Sequence, residues 1–250
     1  MVRAGRAGDD VTAGRAGDDV SAGRTDRAAR DVPAPEAASL TLAEDPDAWA
    51  AAGFTVDADG TCRVGGVRLV LAGRDAGHGM IGWRLRNLPD GAAADIDGFA
   101  TTATDDPPAA AAEHAITATQ VDHIVLLTDD VDRTVASAAK VGLVPRRWRD
   151  HTTPDGAPVR QVFYRVGEVV LEVVAPRDRP DRPRPGARSF GLAFVAADIG
   201  AASAVLGDGL GPERIAVQPG RTIATVRHHA LGLGTPIALM SSGDNPPAQH

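Results

Sequence analysis

The feature that most constrains this chain is an internal repeat: two consecutive stretches share one order of elements, strand, helix and then three strands. In the first, VDHIVLLT (121–128) is β-branched and apolar and stops at Asp129-Asp130, whose carboxylates suit a helix start. A helix then follows, with Val131, Val135, Ala138 and Ala139 on one face and Gly142 ending it. After it come VPRRWRDHT, a Pro154-Asp155-Gly156 turn, VRQVFYRV, a tight Gly167-Glu168 connection and VVLEVVAP. The second stretch repeats this as SFGLAFVAAD, helix IGAASAVLGDGLG, then ERIAVQP, RTIATVRHH and TPIALMSS. The first stretch occupies 120–176 and the second 189–243, with the proline-rich loop RDRPDRPRPGAR at 177–188 between them.

A degenerate copy precedes them at 36–100. CRVGGVRLVLAG aligns without a gap on YRVGEVVLEVVAP, behind a short helix around DPDAWAAAG and a strand FTVDADG. The further strand GMIGWRLRNL (79–88) lacks a long helix after it, so this block reads as one module plus the beginning of another. Its partner sheet is expected either from strand 79–88 or across a homodimer. Residues 101–119, rich in Pro and Ala, read as a linker. Residues 1–35 contain the duplication AGRAGDDVT/AGRAGDDVS and almost nothing to bury, which predicts a disordered tail. Residues 244–250 read as a second tail.

Charge narrows the partners. The 250 residues carry a net charge of −7, and Lys140 is the sole lysine beside abundant arginine. The acid excess falls in 36–118 and the arginine excess in 177–188, so the two good modules are nearly neutral. No basic surface suited to nucleic acid emerges. No apolar run approaches the roughly 20 residues that span a bilayer, and MVRAGRAGDD offers no signal-peptide core; the expectation is a cytoplasmic protein without membrane partners. Cys62, the single cysteine, excludes an internal disulfide and reads as a buried strand residue. There is no P-loop, dinucleotide fingerprint or G-x-S-x-G elbow, and the adjacent His228 and His229 point to opposite sheet faces.

The segments VDHIVLLTDDVDRTVASAAKVGL, QVFYRVGEVVLEVV and GLAFVAADI together resemble the vicinal-oxygen-chelate superfamily of glyoxalase, bleomycin-resistance and dioxygenase type. The resemblance covers the carboxy-terminal half and implies an α+β fold of paired βαβββ modules, whose curled mixed sheets form an open, glyoxalase-like cup. In the enzymes of that superfamily, a divalent metal at the cup base takes ligands from the first and last strands of each module. Here the resemblance places His123 and Glu172 in two of those positions. Gly191 and Ala238 stand where the other two ligands would be, and Val70 stands at the Glu position of the degenerate copy. A divalent ion (Fe, Zn, Ni, Mn or Mg) would need about three or four converging donors; Gln161, Gln218 or another histidine would have to complete the set.

Other readings of the same residues stand beside this one. His123 next to Asp122 suits a hydrogen-bonded, half-buried histidine, and Glu172 in an apolar strand requires a cation, His123 or Arg165 as partner. Gln218 and Arg221 sit where they could grip an anionic ligand or form a surface loop. Trp83, Phe163 and Phe194 suit either a cavity wall or a core. Two functions follow: a metal-dependent lyase or dioxygenase acting on a small molecule with vicinal oxygens, or a metal-free small-molecule-binding protein of sequestration or resistance type. A third is a degenerate paralogue kept for assembly.

Overall fold

The computed structural model describes residues 33–153 and 155–243. Residues 1–32 of the tail expected at 1–35, and the whole tail expected at 244–250, lie outside the described residues.

The amino-terminal block contains β1 (Glu36–Leu42), α1 (Pro46–Ala51), β2 (Thr61–Val64), β3 (Val67–Leu71), β4 (Met80–Arg86), β5 (Asp95–Ile96) and β6 (Phe99–Ala103). Helix α1 starts where the Asp45 carboxylate accepts from the Asp47 N–H, with Pro46 in the first turn, where its missing N–H is harmless. These strands make a six-stranded sheet ordered β2-β3-β1-β4-β6-β5. Strand β1 runs parallel to β3 and antiparallel to β4, and β4 runs parallel to β6. The partner that the first module needs therefore lies within the chain: β4 to β6 begin a second module. The strand expected at FTVDADG shrinks to a single bridge between Val56 and Cys62.

The carboxy-terminal block contains β7 (Ala118–Leu127), α2 (Val131–Ala139), β8 (Arg147–Thr152), β9 (Pro158–Val166), β10 (Val169–Pro176), β11 (Arg188–Ala196), α3 (Ile199–Leu206), β12 (Arg214–Ile215), β13 (Thr222–Thr225) and β14 (Ile237–Ser241). They form one eight-stranded sheet ordered β12-β13-β14-β11-β7-β10-β9-β8. Each module pairs its first strand parallel with its last, β7 with β10 and β11 with β14, and the antiparallel β7–β11 pair joins the modules. The two helices are capped alike: Asp130 accepts from Arg133 N–H and Asp198 from Ala201 N–H. The α2 face differs from the expected one, since Ala139 is exposed and Thr134 is buried instead. The Thr134 hydroxyl is satisfied by Thr128 and by Asp97 of the β5–β6 turn, so a polar residue occupies the packed face without an orphaned group.

Residues Val169, Leu171 and Val173 of β10 are buried on the face toward the helix side, together with Ile124 and Leu126 of β7. This core continues into the amino-terminal block, where Trp49 of α1 and Phe54 meet Phe194 of β11 at centroid distances of 6.2 and 5.2 Å. The arginine-rich loop 177–188 is held by acids at the start of α2. Asp129 accepts from the Arg184 N–H at 2.9 Å, and Asp130 pairs with Arg179 at 2.9 Å.

The expected linker 101–119 is shorter than its composition suggests, because β6 extends to Ala103 and β7 begins at Ala118. The stretch between is extended and tied to the β2–β3 hairpin by Ala109 N–H to Gly66 O and Ala112 N–H to Arg63 O, both 3.0 Å. His114 fastens its end: Nδ1 accepts from Thr55 N–H at 2.9 Å, and Nε2 donates to Arg63 O at 3.2 Å. Burial pushes the His114 pKa below the ordinary imidazole value, against the hydrogen bond to Arg63. The neutral ring thus contributes stability that is fully present above about pH 6.5 and is lost as the pH falls through the lowered folded value. We expect His114→Gln to flatten the fall in urea-unfolding stability between about pH 7 and 5; an unchanged slope would show that another group carries it.

Candidate functional site

Both ends of the eight-stranded sheet line one cavity of about 490 Å³, with Arg147 and Arg149 from β8 on one side and Ile215 from β12 on the other. The sheet therefore curls until its edge strands face each other across a cup. Register fixes what points inward. His123 lies opposite Val170, and Val125 opposite Glu172, in the parallel β7–β10 pair; Glu172 lies opposite Phe163 in the antiparallel β9–β10 pair. Directly paired residues share a face. His123, Glu172, Phe163 and Gln161 accordingly all line the cavity, with Gln218 of the loop before β13.

Alternation along β7 would send Asp122 to the other face, yet it lines the same cavity as His123. The cause is a register shift: Ala193 pairs with His123 but Phe194 with Val121, so Asp122 is an extra residue in the β7–β11 ladder. Such a bulge turns two consecutive side chains to one side. Asp122 Oδ2 then meets His123 Nδ1 at 2.7 Å, and Asp122 Oδ1 meets Arg221 Nη1 at 2.7 Å. Arg221 Nε also donates to Ser241 O at 2.7 Å, while Nη2 is buried without a partner. Burial acts to raise the Asp122 pKa, but the hydrogen bonds from His123 and Arg221 hold it below the usual carboxylate range. Glu172 behaves in the opposite sense. Burial raises its pKa, against the charges of His123, His151 and Arg149 and a hydrogen bond from Gln161 Nε2.

Two of the aromatic candidates lie elsewhere. Trp83 is buried in the six-stranded sheet, where its Nε1 donates to Thr101 Oγ1 at 2.7 Å and its ring packs on Phe99. Phe194 is fully buried against Trp49 and Phe54, on the same face of β11 as the buried Leu192 and opposite Val121. Arg165, the alternative partner for Glu172, is exposed at a position opposite Val170. Asp122, expected only as a hydrogen-bond partner of His123, also lines the cavity, and Arg147 and Arg149 line it without having been named as candidates. Strict alternation hid Asp122; the two arginines were legible as an i, i+2 pair in RRWRD but were not connected with the cup.

The second module's part of the donor set can be tested directly. Asp198 caps α3 as Asp130 caps α2, which makes Gly191 the counterpart of His123; Ala238 pairs with Ala193 as Glu172 pairs with Val125. A Cβ at Gly191 would stand 2.6 Å from the Pro236 carbonyl oxygen, so no side chain fits there without backbone movement. Among the described residues no three His, Cys, Asp or Glu side chains converge as metal ligands. Arg221 brings a fixed positive charge to the carboxylate beside His123. The acidic and imidazole donors thus do not make up the set that a fully protein-held divalent ion requires.

A shallow hollow of about 560 Å³ lies elsewhere, beside Asp97 and Arg133. Asp97 and Arg133 are bound to each other at 2.6 Å, which ties the β5–β6 turn to α2. No described helix is long and apolar enough to cross a membrane.

Paired βαβββ modules in curled mixed sheets define an α+β, glyoxalase-like fold. Solved structures similar to the chain share it. A triple mutant of 4-hydroxymandelate synthase from Streptomyces coelicolor is similar over 84% of this chain and 93% of its own, at 13% identity and a TM-score of 0.52. A xylose isomerase-like TIM barrel/4-hydroxyphenylpyruvate dioxygenase fusion protein is similar over 88% of this chain, at 13% identity and a TM-score of 0.56; the chain spans 51% of that protein's length. Methylmalonyl-CoA epimerase from Mycobacterium tuberculosis matches 50% of this chain and 89% of its own at 18% identity, with a TM-score of 0.39. No protein-family model and no curated protein sequence matches the chain. At these identities the likeness to the first two structures shows the fold alone, extending over both sheets.

Proposed function

We propose that this chain is a glyoxalase/bleomycin-resistance/dioxygenase-like protein that binds a small molecule in the cup of its eight-stranded sheet without a metal ion. The observation that carries this reading is the asymmetry of the cup. One module supplies His123, Glu172 and Gln161, while the other supplies Gly191 packed against Pro236, Ala238 and an arginine already paired with Asp122. A cavity of about 490 Å³ with a partly apolar lining suits a ligand of metabolite or drug size.

A second reading, a metal-dependent lyase or dioxygenase, is favoured by one feature. Asp122 braces His123 at Nδ1 in the way that carboxylates brace metal-bound imidazoles and leaves Nε2 unbraced. In that case Glu172 and the buried, unpartnered Gln161 Oε1 would be the remaining donors, and the metal would supply Lewis acidity toward a substrate's oxygens.

The test is a melting-temperature screen of the full chain against a broad small-molecule library in excess EDTA. Ligands that stabilise the protein there, and lose their effect in Phe163→Ala, support the binding reading. Stabilisation that appears only when divalent metal is restored would transfer support to the metalloenzyme.

A further inference from the structure

The β8–β9 hairpin treats its charges differently on its two faces. On the face away from the cavity, Asp150 lies opposite Arg160 and the two are joined by hydrogen bonds of 2.8 and 2.9 Å, with the same guanidinium placed 5.9 Å from the Trp148 ring centre. On the cavity face, Arg147 lies opposite Phe163 and Arg149 opposite Gln161. Among the described residues neither of these guanidiniums forms an ion pair, although Arg63, Arg84, Arg86, Arg133, Arg160 and Arg221 all do. Arg149 is half-buried, so its charge is partly withdrawn from water with no carboxylate bound to it. Two planar donor forks two residues apart on one strand face match an anionic group.

The carboxylates in the same cavity do not cancel these charges by contact. Asp122 is already held by Arg221 and His123, each at 2.7 Å, and Glu172 is hydrogen-bonded by Gln161. The opposite wall has another character. Ile215 and Val217 are 83% and 66% exposed and line the cavity beside Met240. Exposed branched aliphatics at a cavity mouth leave apolar surface that a ligand can cover. The cup thus has a cationic wall on β8, an aromatic floor at Phe163 and an apolar wall at β12.

We infer that the ligand is an amphipathic organic acid, its carboxylate held between Arg147 and Arg149 and its apolar body laid across Phe163 toward Ile215, Val217 and Met240. This rests on the binding reading above and goes beyond it by fixing ligand class and orientation.

The experiment is calorimetric titration of the full chain with a panel of straight-chain and aryl-substituted carboxylic acids, each beside its primary amide. Acids should bind about tenfold or more tightly than the matched amides, the factor that corresponds to one charge-assisted hydrogen bond. The preference should shrink with added salt. It should vanish in Arg147→Gln/Arg149→Gln and persist in Arg147→Lys/Arg149→Lys, which retains the charges, with folding of both verified by circular dichroism. Amides that bind as well as acids, or an acid preference that survives the glutamine variant, overturn the inference while leaving the cup as a binding site. Binding of neither series, while unrelated neutral probes bind, also overturns it. Absence of binding by every probe overturns the binding reading as well.

Discussion

Phe194→Ala is expected to destabilise the protein by about 3–5 kcal/mol, the usual range for removing a buried phenylalanine, without changing the cup. Phe194 is fully buried on β11, and its ring meets both Trp49 and Phe54. Those contacts join helix α1 of the amino-terminal block to the eight-stranded sheet, so the cavity left behind lies where the two blocks meet. Small relaxation cannot fill it, because Leu40, Leu69 and Ile124 around the same core are also buried. Urea unfolding should show the loss in midpoint. Ligand affinity at the remaining folded fraction should be unaltered. Loss of binding with little loss of stability would place Phe194 in the cup wall after all.

Arg221→Ala should destabilise by about 3 kcal/mol near neutral pH. Removing the guanidinium leaves the Asp122 carboxylate, 13% exposed, with His123 as its remaining partner, and leaves Ser241 O without the 2.7 Å donor from Nε. The sign of the pH dependence distinguishes this cause from lost packing. In the native protein the lowered Asp122 pKa contributes stability above about pH 4 that is lost as the pH falls through the folded value. Without Arg221 that contribution diminishes, so the gap between variant and native protein should narrow as the pH drops below about 4. A gap that stays constant as the pH falls below about 4 would mean that the guanidinium acts through packing alone.

The architecture was legible because repeats and period-two patterns survive in sequence: the order strand, helix, three strands appears twice, and both helix caps are aspartates at equivalent positions. The pairing of β10 with β7 follows from that order, and it brings His123 and Glu172 to one face. What sequence could not carry was local irregularity. One extra residue in β7 puts Asp122 on the cavity face with His123 and leaves Val121 on the core face opposite Phe194, and nothing in VDHIVLL marks a bulge. Trp83 looked equally suited to wall or core because an apolar ring on a strand carries no sign of its face; its bond to Thr101, eighteen residues away, decides for the core. Gly191 could be recognised as a missing ligand, but the reason that no side chain fits there, the Pro236 carbonyl, lies on another strand's approach. The amino-terminal block was harder to read, since its later strands have no long helix between them and its second module is reduced to β4, β5 and β6.

Metal content decides whether this cup holds its ligand without a metal. The full chain would be incubated with Zn²⁺, Ni²⁺, Mn²⁺ and Fe²⁺ in turn, desalted and analysed by plasma mass spectrometry beside His123→Ala and Glu172→Ala. Far less than one ion per chain is expected in each case, with no difference between the native protein and either variant. One ion per chain, lost in both variants, would contradict metal-free binding.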